Sequence, residues 1–180
     1  DILIQGEIPN FGTSISPAGD VNGDGYDDVV IGSYGDEYSN TKGRAYIYLG
    51  NPSGSQNRIV MEGENIGDGF GYCVSKAGDV NLDGFDDVII SAGGERVFIY
   101  LGGQQMNNVP DVILEHEQPF TSFGRSVSYA GDVNGDGFSD VVVGAHTYLN
   151  NTGRAYVYFG GRQMDNVPDV IMTGVAGGFD

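Results

Sequence analysis

The apolar residues of this chain fall into short, dense runs separated by segments rich in glycine, asparagine and aspartate. Runs such as VVIG at 29–32, GRAYIYLG at 43–50 and VVVG at 141–144 are apolar at nearly every position instead of alternating. Runs bounded by turn-forming residues are typical of β-strands, and near-continuous apolar character indicates sheets that are covered on both faces. The pattern therefore predicts an all-β protein built from short strands.

The runs recur three times in the same order. Phe-Gly pairs beginning at Phe11, Phe70 and Phe123 open the units, and Phe179 falls in phase for a fourth. Each pair is followed by Ala-Gly-Asp, an acidic segment and three further apolar runs. Four strands in roughly fifty residues is the signature of a β-propeller blade. We therefore predict β-propeller blades of four antiparallel strands each, three blades to the chain.

The repeat also predicts the domain organisation. One repeat domain covers residues 1–180, with blades at approximately 11–64, 70–117 and 123–175, while 1–7 is a surplus outer strand and 176–180 the start of another repeat. A propeller ring needs about four to eight blades. We therefore expect the chain to be part of a longer chain that completes the ring, or to form a homo-oligomer in which copies do so.

Each unit contains a nine-residue acidic loop, at 20–28, 79–87 and 132–140. Side-chain oxygens stand at positions 1, 3, 5 and 9, position 6 is glycine and position 7 is aromatic. Calcium takes about six to eight oxygen ligands from carboxylates, amides and backbone carbonyls. The sequence predicts three calcium ions per chain, with the carbonyl of position 7 as a ligand and its ring in the core. The predicted ligands are Asp20, Asn22, Asp24, Tyr26 and Asp28; Asp79, Asn81, Asp83, Phe85 and Asp87; and Asp132, Asn134, Asp136, Phe138 and Asp140.

The acidic loops have two alternative interpretations. An EF-hand carries its acid at position 12, in a helix, whereas Ile31, Ile90 and Val143 occupy that position here, inside apolar runs. The loops could also be simple turns whose side chains bond their own backbone. Three carboxylates within nine residues favour a cation because they repel one another. Position 8 holds Asp27 and Asp86, which we predict to point outward.

The Phe-Gly pair, the acidic loop and the Gly-x-x-Tyr/Phe strand, recurring in this order over essentially the whole chain, resemble the FG-GAP repeats of integrin α subunits. The resemblance implies a β-propeller in which calcium braces the loop between the first two strands of each blade. The Gly-Ala-Pro element of the family is replaced by Gly32-Ser33-Tyr34 and its counterparts, none of which contains proline.

Charge and composition narrow the function. The formal charge is −17, with 25 acidic and 8 basic side chains, so no basic stripe is available for nucleic acid. No apolar stretch is long enough to span a membrane. Calcium sites with the weak affinity typical of extracellular modules, of order 0.1 to 1 mM, need an extracellular supply of calcium. The predicted location is therefore extracellular or at the cell surface.

The remaining reactive residues give no catalytic constellation. His116 and His146 are solitary, and Cys73 stands where the other units have Ser14 and Ser126, as a small filler. The connections after the second strand are long in the first and third units, so their residues form the predicted partner surface. These residues are Tyr34, Tyr38, His146 and Tyr148.

We therefore predict a non-catalytic, integrin-like propeller module for protein or glycan recognition and adhesion, with structural calcium. Two alternatives stay open. One is the propeller domain of a secreted polysaccharide-processing enzyme, which would need a basic cluster near the axis, and Lys42, Lys76 and Arg125 are scattered. The other is a self-assembling structural fragment that has no ligand.

Overall fold

The computed structural model describes residues 7–36, 38, 40–53, 57–93, 95–115 and 121–175. These residues form three four-stranded antiparallel sheets, and in each sheet neighbours in sequence are neighbours in space. The prediction of an all-β fold with four antiparallel strands per blade is confirmed. The predicted start of another repeat at 176–180, His116 and all of the predicted surplus strand except Glu7 lie outside the described residues.

The strands of the three sheets have closely similar lengths. The first sheet consists of β1 (Phe11–Gly19), β2 (Asp28–Ser33), β3 (Arg44–Tyr48) and β4 (Arg58–Glu62). The second consists of β5 (Phe70–Gly78), β6 (Asp87–Ala92), β7 (Arg96–Tyr100) and β8 (Val112–Glu115). The third consists of β9 (Phe123–Gly131), β10 (Asp140–Ala145), β11 (Arg154–Tyr158) and β12 (Val170–Thr173).

The strand register separates two ends of each blade. In the first sheet Gly19 pairs with Asp28 beside the acidic loop, and Phe11 pairs with Ser33 at the far end. The second and third sheets repeat this register. The acidic loops therefore lie at one end of the blades, and the connections between the second and third strands lie at the other.

The hydrophobic cores lie between the sheets. One cluster joins the first and second sheets and a second cluster joins the second and third. Every residue of β6 is buried because its sheet is covered on both faces, as the uninterrupted apolar run predicts. Within the described part of the chain, the outer faces of the first and third sheets are open. Ile15 is 70% exposed on one, and Met172 is 49% exposed on the other.

The Phe-Gly pair explains how one blade packs on the one before it. Phe70 is buried and its ring meets Phe98 of its own sheet at a centroid distance of 5.5 Å. Gly71 follows with φ +82°, and a Cβ there would collide with the carbonyl oxygen of Arg44 in the first sheet. Phenylalanine thus fills the core while glycine lets its strand approach the preceding blade.

A small polar side chain in the first strand also links neighbouring blades. The backbone N–H of Val74 donates to Ser14 Oγ at 3.0 Å. At the next junction Cys73 Sγ lies 3.9 Å from the carbonyl oxygen of Val127. Cys73 is half-buried at this contact, which accounts for a residue of this size at the position.

The connection between β10 and β11 contains a feature that the strand pattern does not predict. Tyr148–Asn151 forms a single helical turn, α1, in which Leu149 and Asn150 have left-handed backbone angles. Asparagine adopts this conformation more readily than most residues. The turn closes the third blade's long connection at the end away from the acidic loops.

Replacing Gly71 by alanine should destabilise the protein more than the same change at Gly12. Both glycines have φ near +83°, so both variants lose about 1 to 2 kcal/mol to the left-handed backbone. Only at Gly71 does the methyl group meet another blade, whereas nothing lies within 4 Å at Gly12. We expect Gly71→Ala to lose about 2 kcal/mol more in urea unfolding, and equal losses would contradict this account of blade packing.

Candidate metal centres

The three acidic loops connect the first and second strands of the three sheets. Position 9 opens the second strand, and positions 1 to 8 run between the strands without regular structure. The position 6 glycines have strongly positive φ angles, +89°, +93° and +96°. The sequence-based expectation that glycine is required at this position is confirmed, because other residues resist such an angle.

The carboxylate at position 1 organises the backbone of its own loop. In the first loop Asp20 Oδ2 accepts a hydrogen bond from Gly25 N at 2.8 Å, and Oδ1 accepts one from Asp24 N at 3.1 Å. The second and third loops repeat both bonds within 0.1 Å. These hydrogen bonds hold the position 1 carboxylate of each loop in place, and its oxygens keep lone pairs that are free to bind a cation.

Positions 3 and 5 form a second repeated unit. Asn81 Oδ1 accepts from Asp83 N at 2.9 Å, and Asn81 Nδ2 donates to Asp83 Oδ2 at 2.8 Å. Asp83 Oδ1 then accepts from Phe85 N at 3.0 Å. The other loops form the same three bonds. The side chains at these two positions therefore lie next to each other.

The position 9 carboxylate is buried and joins its loop to a distant turn. Asp87 Oδ2 accepts from Val80 N at 2.7 Å and Oδ1 accepts from Gly102 N at 2.8 Å. Asp28 and Asp140 make the corresponding pairs of bonds, and all three residues are at most 1% exposed. Sequence reasoning missed the glycine partner, although the glycine that ends each YLG or YFG run, such as Gly102, recurs at the same place in every unit.

Burial makes a negative charge at position 9 unfavourable in the first two loops. It raises the pKa of Asp87 to about 7, with a further increase from the carboxylates of Asp83 and Asp79, while the bonds from Gly102 and Val80 oppose the shift. Burial also raises the pKa of Asp28 above its ordinary value. A cation at the loop would favour the ionised carboxylate and lower these pKa values.

The donor set fits calcium by its chemistry. Every loop provides carboxylate, amide and carbonyl oxygens and no nitrogen or sulfur ligand, which is what a hard cation prefers. In the described residues, no group of three Asp, Glu, His or Cys side chains is already gathered as a metal cluster. The carboxylates instead bond the loop backbone, which is the turn geometry named as the alternative reading.

Two predictions about the loops are wrong. The position 7 rings do not enter the core: Tyr26 is 46% exposed, and Phe85 is half-buried against Gly23 of the preceding loop. Asp86 at position 8 does not point outward, because its carboxylate accepts from Asp20 N at 3.0 Å and pairs with Lys76 at 2.7 Å. Asp27 is exposed, as predicted. Contacts with the preceding blade decide the positions of Phe85 and Asp86.

The predicted partner surface is only partly exposed. Tyr38 is fully exposed and His146 is exposed. Tyr148 is 6% exposed beneath the guanidinium of Arg154, which lies 3.7 Å from its ring centroid, and Tyr34 packs edge-on against Tyr72. The prediction that Tyr148 offers its ring to a partner is therefore wrong.

Comparison with known proteins agrees with this architecture. A family model described as FG-GAP repeat matches residues 11–48 and 123–158. The two stretches run from β1 to the end of β3 and from β9 to the end of β11, and each includes an acidic loop. The chain contains FG-GAP repeats. The second sheet has the same strand order and loop geometry as its two FG-GAP neighbours.

Integrin α subunits are similar to most of this FG-GAP chain. Integrin alpha-5 of Xenopus laevis is 31% identical over 185 aligned residues, which cover 91% of the chain. Integrin alpha-V of Gallus gallus is 36% identical over 152 residues, covering 75% of the chain. The chain spans only 16% and 15% of these relatives. No helix in the described ranges has the length and apolar character needed to cross a membrane.

Removal of the position 9 carboxylate should destabilise the fold even when no calcium is present. We expect Asp87→Ala to lose about 2 to 4 kcal/mol, because the buried N–H of Val80 and that of Gly102 lose their acceptor. Urea unfolding in excess chelator provides the measurement. Asp83→Ala is the control, and we expect it to lose under about 1 kcal/mol since water can replace an exposed acceptor. Similar losses in the two variants would show that the buried hydrogen bonds stabilise the fold no more than the exposed ones do.

Proposed function

We propose that this chain is a calcium-binding, non-catalytic β-propeller module of the integrin type that recognises a protein or a glycan. Three ions, one at each acidic loop, would be structural. The observation that carries the proposal is the identical arrangement of the three loops, in which oxygen-bearing side chains at positions 1, 3, 5 and 9 are each held by bonds to the backbone. The ligands are those predicted from the sequence, including the carbonyl oxygen at position 7.

Calcium would relieve the electrostatic cost of each loop. Positions 1, 5 and 9 bring three carboxylates into nine residues, and the buried one has a raised pKa in the second loop. A divalent ion neutralises most of this charge and supplies the attraction that the loop lacks by itself. Binding to the folded protein then adds to its stability.

The proposed location is extracellular or at the cell surface. Calcium sites of extracellular modules have weak affinities, about 0.1 to 1 mM, and sites of that affinity would fill only where calcium is abundant. The similarity to integrin α subunits supports the same location.

We place the recognition surface at the end of the blades opposite the acidic loops. Tyr38 and His146 are exposed there, and Leu149 on α1, three residues after His146, is 57% exposed. Exposed aromatic and apolar side chains on connections held by a rigid scaffold are typical of binding surfaces. Because the acidic loops have a structural role in this proposal, ligand contact is assigned to the other end.

The basic side chains give no support to an enzyme. Lys76 pairs with Asp86, Lys42 lies 4.0 Å from Glu62, and the Arg125 guanidinium lies 4.4 Å from the ring centroid of Tyr72. Arg44 pairs with Glu7 at 2.9 Å and Arg96 pairs with Glu64 at 2.8 Å, a structural bond that recurs in two units. Lys42 and Arg44 both contact Glu62 and are therefore neighbours, but each of these basic side chains is engaged by a carboxylate or an aromatic ring.

We further propose that additional blades of the same kind cover the two open faces. Ile15 and Val29 are 70% and 44% exposed on the first sheet, and Val170 and Met172 are 39% and 49% exposed on the third. At both junctions within the chain, the equivalent surfaces form the hydrophobic cores. The extra blades would come from a longer chain or from a second copy of this one.

Calcium should raise the melting temperature of the protein, and magnesium should raise it less. At about ten times its dissociation constant, calcium stabilises the fold by about 1.4 kcal/mol for each site. Circular dichroism melts with chelator and with each ion give the shifts. A melting temperature that calcium leaves unchanged would remove the structural-calcium proposal.

A triple variant at position 5 separates calcium binding from the fold. Asp24→Ala, Asp83→Ala and Asp136→Ala together remove one exposed carboxylate from every loop. We expect this variant to melt within a few degrees of the wild type in chelator and to show almost no calcium-dependent shift. A large loss of stability in chelator would mean that these carboxylates stabilise the loops through their backbone hydrogen bonds and not through calcium.

Ligand binding should depend on the end of the blades that bears Tyr38. Screening on glycan and extracellular-matrix arrays identifies a ligand, and Tyr38→Ala combined with His146→Ala should weaken its binding about tenfold or more. Leu82→Ala, at an exposed residue of the second acidic loop, is the matched control and should leave binding unchanged. Loss of binding only in the control would move the surface to the acidic loops.

A further inference from the structure

Neighbouring acidic loops are bonded to each other at both blade junctions. At the first junction Asp86 N donates to the carbonyl oxygen of Asp20 at 3.2 Å, and Gly103 N donates to that of Val21 at 2.8 Å. At the second junction Ser139 N and Gly161 N make the equivalent bonds, at 3.1 and 2.7 Å. Each loop therefore rests on backbone groups of the following blade.

The first junction has one contact more than the second. Asp86 Oδ2 accepts from Asp20 N at 3.0 Å, and its Oδ1 is held by Lys76 Nζ at 2.7 Å. The two side chains are 24% and 33% exposed, so the pair is partly shielded from solvent. Both backbone polar groups of Asp20 are thus bonded by a single residue of the next blade.

The second junction lacks this carboxylate. Ser139 replaces Asp86 and Tyr129 replaces Lys76 in the aligned units. The Ser139 side chain faces Gly78, and among the described residues no side chain accepts from Asp79 N. The two junctions therefore form a natural comparison in which the backbone bonds are the same and the side-chain bond differs.

We propose that Asp86 is a positioning residue for calcium at the first loop, contributed by the second blade, and that it couples the first two calcium sites. This inference rests on the calcium binding proposed above. Asp20 provides the position 1 carboxylate, and the direction of that carboxylate depends on the main chain that Asp86 holds. Fixing this main chain before the ion arrives removes part of the entropy cost of binding.

The coupling is reciprocal. An ion at the second loop orders positions 79–87, and with them Asp86, so it raises the affinity of the first loop. By linkage, an ion at the first loop raises the affinity of the second by the same factor. Coupling between the second and third sites is weaker because Ser139 offers no such bond.

Site-resolved calcium titrations of the whole chain test the proposal. The amide signals of the position 6 glycines, Gly25, Gly84 and Gly137, report the three loops separately in ¹⁵N NMR, since each N–H bonds the position 1 carboxylate. We expect Asp86→Ser to weaken calcium binding at Gly25 about fivefold and to change Gly137 by less than about twofold.

Two further variants separate the hydrogen bond from the charge. Asp86→Asn loses the charge but keeps an acceptor for Asp20 N, and should lose no more than about twofold at Gly25. Asp27→Ser removes a charge from the first loop itself, at an exposed residue. If Asp27→Ser weakens the first site as much as Asp86→Ser does, net charge explains the effect and the proposal is overturned.

A transplant and a calcium-free measurement complete the test. Ser139→Asp with Tyr129→Lys rebuilds the contact at the second junction and should tighten calcium binding at Gly84. Tighter binding cannot result from misfolding of the variant. In chelator, Asp86→Ser should speed hydrogen exchange at the Asp20 amide. If the wild-type glycine signals do not respond to calcium, the proposed function fails. If they respond and Asp86→Ser behaves as the wild type, only the coupling fails.

Discussion

The buried carboxylate at position 9 is the interaction on which each blade depends. It accepts one backbone hydrogen bond from position 2 of its own loop and one from the turn that follows the third strand. A buried N–H that lost its acceptor would cost about 1 to 3 kcal/mol. The carboxylate therefore closes the loop end of the sheet, and its three copies make the three blades alike at that end.

The same group links stability to charge. Its burial raises the pKa of Asp87 to about 7, and the chain has a formal charge of −17. Hydrogen bonds from backbone N–H groups stabilise the ionised form only in part, so a divalent ion is the natural complement of the loop. If the loops bind calcium as proposed, the binding energy would add to the folding energy, as in other metal-binding domains.

Neighbouring blades explain where side-chain predictions were wrong. Asp86 and Phe85 both turn toward the preceding loop, against Gly19 and Gly23. Asp27 and Tyr26, at the same positions of the first unit, are exposed because no described blade precedes them. The same loop position is therefore exposed in the first unit and covered in the second. Tyr148 differs from these residues, because it is covered by Arg154 from the next strand of its own sheet.

The sequence by itself determined the strands, the four-strand unit and the spacing of the acidic loops, because these depend on local apolar runs, turn residues and short-range repetition. The positive φ of Gly84 belongs to the same class, since it follows from the local loop. Only the tertiary structure decided that Gly102 binds Asp87 and that Asp86 binds Asp20. These contacts join residues that are 15 and 66 positions apart. The first exists only once two strands of one sheet have paired, and the second only once two blades have packed together.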